Sequence, residues 1–96
     1  MERRRYVVTY DISDDRRRDQ VFRACKDYGD HAQYSVFLCD LAEKELVELK
    51  SRLIDAIHHR QDQVLIVDLG TADRSLDLSL ECIGRAYCPT PRAFIV

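Results

Sequence analysis

Asp11 is the residue in this chain whose setting most demands a chemical explanation, because it sits at the end of the apolar run Arg5–Ile12, "RYVVTYDI". A carboxylate closing a buried strand must face water, pair with a cation or bind a metal. One carboxylate is a poor Mg²⁺ site, since Mg²⁺ takes octahedral oxygen ligands, usually one or two carboxylates with waters and substrate phosphates. A two-fold dimer that brought Asp11 of each subunit together would supply the second acid. Two arginine clusters flank it, Arg3–Arg5 before and Arg16–Arg18 behind. Phosphodiester backbones are met mainly by Arg and Lys, and the planar guanidinium fork suits phosphate better than a lysine ammonium. The plainer readings are a structural acid paired with an arginine, and a solvated basic face in which Arg16 and Arg17 pair with Asp14 or Asp19.

The other reactive side chains make weaker patterns. His31 is a candidate general base or phosphate contact, or simply a surface loop residue. His58 and His59 are adjacent, so on a helix they point about 100° apart and cannot chelate one ion as an i, i+4 pair would. Ser35 lacks a GxSxG setting. Cysteines at 25, 39, 82 and 88 contain no CxxC pair, which excludes the usual zinc and redox motifs and leaves them as reduced packing residues. Tyr6, Tyr10, Tyr28, Tyr34 and Phe37 read as core and sheet packing rather than base-stacking platforms, and the glycine-aromatic signature of an RRM is missing.

These residues need elements to hold them. The β-branched and aromatic run at 5–12 predicts a central strand. Ser13 is the expected N-cap of a helix that runs to Tyr28, with Asp14 and Asp15 complementing its dipole and Gly29 as a left-handed stop. Val21, Phe22, Cys25 and Tyr28 share its buried face, with Arg16, Gln20, Arg23 and Asp27 opposite. Arg18 projects on the Phe22 side near the helix start, so it is expected to look back at Asp11. Residues 31–41 predict a tight strand pair that breaks near Tyr34 and Ser35. A second helix from Ala42 to Ile57 carries the stripe Leu46, Leu49, Leu53, Ile57. "QVLIVDL" predicts a further buried strand. "SLDLSLEC" alternates Leu76, Leu78, Leu80 and Cys82 with polar residues, the period of a half-buried strand. "CPTP" at 88–91 is a joint, and "RAFIV" at 92–96 a last short strand.

The order β-α-β-β-α-β-β predicts an α+β domain of the ferredoxin-like β-α-β-β-α-β type with an additional C-terminal strand, its antiparallel sheet covered on one face by two helices. The 96 residues suffice for a single domain, with 1–87 as its core and 88–96 as joint and tail. No apolar run approaches the roughly 20 residues of a membrane helix, and the start lacks a signal h-region, so a cytoplasmic protein with no membrane partner is expected. The net charge of −2 argues against indiscriminate nucleic-acid binding. The charge is uneven, however: residues 1–26 hold eight Lys and Arg against five acids, and residues 27–96 seven against twelve.

"YVVTYDISDDRRRDQVF", "YGDHAQYSVFLCDL" and "EKELVELKSRL" together resemble the CRISPR-associated Cas-two family, small partners of the Cas-one integrase in spacer acquisition. The resemblance spans residues 5 to about 69. It implies a ferredoxin-like homodimer whose last strands cross to the partner's sheet or dock the integrase. It also implies that Asp11 is the family's metal-linked aspartate, with Mg²⁺ or another divalent ion as cofactor. Tyr10, Arg18 and Phe37 match other positions tied to nuclease activity. Where some nuclease-active members carry two further arginines this chain has Gln20 and His31, which implies a weaker phosphate grip. The implied functions are metal-dependent endonuclease action on single-stranded RNA or duplex DNA, and a non-catalytic bridge that holds protospacer DNA. A toxin-like ribonuclease acting alone and a regulatory ligand-binding domain are the rival readings.

Overall fold

The computed structural model describes residues 2–87. The first strand, β1 (Arg3–Asp11), turns Tyr6, Val8 and Tyr10 into the core and leaves Asp11 exposed. It is the central strand anticipated from its composition. It pairs antiparallel with β3 (Val36–Ala42) on one side, with Val8 opposite Phe37, and with β4 (Gln63–Thr71) on the other, with Val8 opposite Ile66. A short β2 (Asp30–Gln33) pairs with β3 and completes the antiparallel order β2-β3-β1-β4. Helices α1 (Asp15–Tyr28) and α2 (Glu43–Ala56) cover one face. This is the ferredoxin-like arrangement.

Helix α1 begins one residue later than Ser13 would set it. Asp14 is the N-cap, its carboxylate accepting from the Arg17 N–H at 2.9 Å, which satisfies one of the first-turn donors. Val21, Ala24 and Cys25 are fully buried, while Phe22 and Tyr28 sit half-buried at the margin. The expected left-handed stop is absent: Gly29 is extended, at φ −162° and ψ −173°. Its role is closeness. A Cβ there would lie 2.4 Å from Cys39 Sγ and 2.7 Å from the Leu38 carbonyl oxygen, so the chain can pass from α1 into β2 against β3 only without a side chain.

Helix α2 buries Leu49 and Leu53, with Leu46, Ala56 and Ile57 packed at the edge of the same cluster. Ala42 offers no capping oxygen, but Glu45 reaches back to accept from the Ala42 N–H at 2.8 Å. The two helices meet through Arg52, which pairs with Asp27 at 2.8 Å and lies over the Tyr28 ring.

Two strand expectations are corrected. "QVLIVDL" does form a strand, but among the described residues β4 is an edge strand, with Leu65 and Val67 50% and 48% exposed on the face away from the helices. The run "SLDLSLEC" does not form a strand. Leu76–Leu78 is a 3₁₀ turn with Ser75 as its cap, and 79–87 carries no regular element. Alternation is necessary for a half-buried strand but not sufficient, since a strand also needs an edge to pair with. Here local bonds win: Leu78 N–H to the Ser75 carbonyl at 3.1 Å and Ser79 N–H to the Leu76 carbonyl at 2.9 Å. The segment instead lies over the open sheet face near Val7 and Leu38 through Leu80 and Tyr87. The joint at 88–91 and the tail strand at 92–96 lie outside the described residues. No helix among the described residues is long and apolar enough to cross a membrane.

Candidate nuclease site

The end of β1 separates the predicted site residues by the alternation of the strand itself. Tyr10 points into the helix-covered core, so Asp11 falls on the opposite face of the sheet and is exposed. Among the described residues its carboxylate has no hydrogen-bond or ion-pair partner. The expected pairing with Arg18 does not form. Arg18 rises from the first turn of α1 on the helix side, where Nη1 donates to the Ile12 and Ser13 carbonyls at 3.0 and 3.2 Å and Nη2 to the Asp15 carboxylate. The helical projection that aims Arg18 toward the strand end is right, but it meets the loop carbonyls rather than the acid.

On the helix side, Tyr10, Arg18, His31 and Phe37 do come together. Fully buried Phe37 forms the floor. His31 stacks on it with ring centroids 4.8 Å apart, and Tyr10 lies alongside at 6.4 Å. Phe22 closes the cluster edge-on, 5.5 Å from Phe37 and 5.1 Å from His31. Above this floor is an open cleft of about 380 Å³ lined by Tyr10, Arg18, Phe22, His31, Tyr34 and Ser35, with Asp15 and Asp19 at its rim. Burial raises the Tyr10 phenol above its ordinary value, so its hydroxyl stays protonated at neutral pH. Phe22 and Tyr34 are the wall residues that sequence reasoning assigned only to packing.

The arginines divide sharply. Arg17 is tied into the fold by a bidentate pair with Asp62, 2.7 Å from Nε and 3.1 Å from Nη2, and by a 3.2 Å bond to Gln61. The Asp62 carboxylate also accepts the His58 N–H at 2.8 Å, and the Arg17 guanidinium holds its carboxyl below the usual range. Arg16, one residue earlier, is exposed and has no such partner among the described residues. At the far end of β1, Arg3 pairs with Asp40 and Glu45, and Arg4 with Asp68 and Glu2. Arg5 donates to the Ala72 and Arg74 carbonyls. At about 3.4 Å per residue this end lies roughly 20–27 Å from Asp11, too far for one phosphate to meet both.

No three His, Cys, Asp or Glu side chains among the described residues gather as a metal cluster. The donor at Asp11 is a hard, unpaired oxygen of the type that suits Mg²⁺, but one chain supplies only one such carboxylate. Cys25 is not a candidate nucleophile, because burial pushes its thiol up to about 12.

The antiparallel β2-β3-β1-β4 sheet with two helices on one face defines the class as a small ferredoxin-like α+β protein, with an unpartnered acid at the end of β1 and an aromatic-arginine cleft on the helix side. The comparisons identify the member: the family described as CRISPR associated protein Cas2 matches residues 4–75, and this chain belongs to that family. It is 43% identical over 82 residues to the CRISPR-associated endoribonuclease Cas2 1 of Rhodospirillum rubrum, covering 85% of this chain and 79% of that one. Its fold is similar to that of a hypothetical protein from Thermus thermophilus (TM-score 0.76, 34% identity, 92% and 99% coverage). Streptococcus pyogenes Cas2 is similar too (TM-score 0.72, 30% identity, 83% and 99% coverage).

Proposed function

We propose that two copies of this chain form an endonuclease of the spacer-acquisition machinery, which grips nucleic acid by its backbone and cuts phosphodiester bonds with a divalent metal held between paired Asp11 carboxylates. The observation that carries this reading is the unpartnered Asp11 carboxylate, at the end of a strand whose other ionic side chains are all engaged. Leu65 and Val67 leave an apolar surface on the same sheet face, which favours a second copy there and thereby the second carboxylate.

Each residue then has a task that its geometry allows. Arg16 and the remaining donors of Arg18 hold phosphate oxygens, His31 contributes a further contact, and protonated Tyr10 offers a hydrogen bond. Phe37 is the floor that fixes the Tyr10 and His31 rings. The paired Asp11 carboxylates would hold a divalent cation such as Mg²⁺, which would supply charge neutralisation and a bound water of lowered pKa. Arg17 is engaged with Asp62, so its part is to anchor α1 rather than to touch the substrate. The same backbone grip serves protospacer duplex DNA held with the Cas-one integrase, and that binding should weaken steeply with salt. Single-stranded RNA and duplex DNA are both substrates to assay.

The test is Asp11→Ala. Metal-dependent cleavage should be abolished while nucleic-acid binding stays within a few-fold of the parent protein. Undiminished cleavage would take Asp11 out of the chemistry. Binding without metal-dependent cleavage in the unaltered chain would leave the bridging role alone.

A further inference from the structure

The turn between β2 and β3 breaks the rules of its own element. A two-residue hairpin turn needs positive φ, which is why Asn-Gly and Asp-Gly dominate there, yet this chain uses Tyr34 and Ser35, with Ser35 at φ 61°. Tyr34 is 79% exposed, and none of the hydrogen bonds or ring contacts among the described residues uses it. A large aromatic placed in water at a tight turn gives the fold little. Positions that break a local rule without a structural gain are where function is expected.

The turn is nevertheless held in place. The Tyr10 N–H donates to the Ser35 carbonyl at 3.1 Å, which fixes the hairpin tip against the end of β1. Tyr34 forms a wall of the same cleft as Arg18 and His31. Arg18 keeps Nε–H and one Nη2 hydrogen beyond its three bonds. The cleft therefore offers a solvent-facing ring within one pocket of a guanidinium, the pairing of stacking surface and phosphate donor that an unpaired nucleotide requires. The two acids at the rim are compensated, Asp15 by Arg18 and Asp19 by Arg23.

Resting on the nuclease reading above, we propose that Tyr34 is the stacking platform for an unpaired base of the bound strand, in the helix-side cleft it shares with Arg18 and His31, so that the cleft selects single-stranded segments. In a duplex the base faces are covered by their neighbours, and a duplex gains nothing from the ring. Duplex binding through Arg16 and its neighbours is then independent of Tyr34.

The chain has no tryptophan, so Tyr34→Trp creates a single reporter at the turn. With EDTA present to keep the probe intact, a short single-stranded RNA should quench its fluorescence, whereas duplex DNA that binds equally by anisotropy should not. Tyr34→Ala should weaken single-stranded RNA binding by about ten-fold, with Tyr34→Phe close to the parent and duplex binding unchanged. Circular dichroism checks that each variant folds. Equal quenching by duplex, single-stranded binding by Tyr34→Ala equal to the parent, or a lowered oligomer mass in that variant would each overturn the inference. Because binding is read without metal, a stacking result with no metal-dependent cleavage would sink only the nuclease reading. Cleavage with no effect of Tyr34 would sink only this inference.

Discussion

Arg16 and Arg17 occupy consecutive positions on α1, yet one guanidinium is locked against Asp62 and the other stands in solvent. Removing them should therefore give separable results. Arg16→Ala should leave Tm unchanged and flatten the salt dependence of nucleic-acid binding by about one unit of slope. Arg17→Ala should lower Tm because it strands the Asp62 carboxylate, whose side chain is closed off from solvent. Asp62 titrates below its ordinary value, so its contribution is fully present above the unfolded carboxyl pKa of about 3.9 and is lost as pH falls through the depressed folded value. The Tm gap between the parent and Arg17→Ala should hold from neutral pH to about pH 4 and close below it; a gap that persists through that acid window would show that the pair is not what Arg17 contributes. The Arg17–Asp62 partnership joins residues 45 apart, and no periodicity connects them, so a sequence reading sees only three similar arginines.

At the scale of elements, the strand and helix patterns that bury the core were legible because Tyr6, Val8 and Tyr10 alternate and Leu46, Leu49 and Leu53 recur at helical spacing. What escaped reading depends on a second element. Helical projection located Arg18 near the strand end, but the side of β1 taken by Asp11 follows from where the helices lie. The alternating leucines at 76–80 promised a strand, but the segment forms its own short turn bonds instead. Gly29 makes the distinction testable. If its purpose were left-handed conformation, Asn would be a mild replacement. Because its purpose is contact with Cys39 and Leu38, Gly29→Ala should cost about 1–3 kcal/mol and Gly29→Asn at least as much, measured by urea unfolding. A well-tolerated Asn would contradict the close-packing account.

For the whole molecule, the described residues close the domain on its helix side and cover the other face only in part. Phe37, Leu49, Val8 and Val21 are sealed beneath the helices, while Leu65 and Val67 remain half in water on the face that also presents Asp11. A small domain gains from covering such a surface, and a two-fold axis is the commonest way to do it. In the dimer proposed above, that arrangement would turn one unpartnered acid per chain into a two-carboxylate site, which Mn²⁺ can report by EPR in place of Mg²⁺. Titrating Mn²⁺ into the protein should show saturation at one tightly bound ion per two chains, lost in Asp11→Asn with the oligomeric mass unchanged. One ion per chain, or binding that survives in Asp11→Asn, would contradict the shared site.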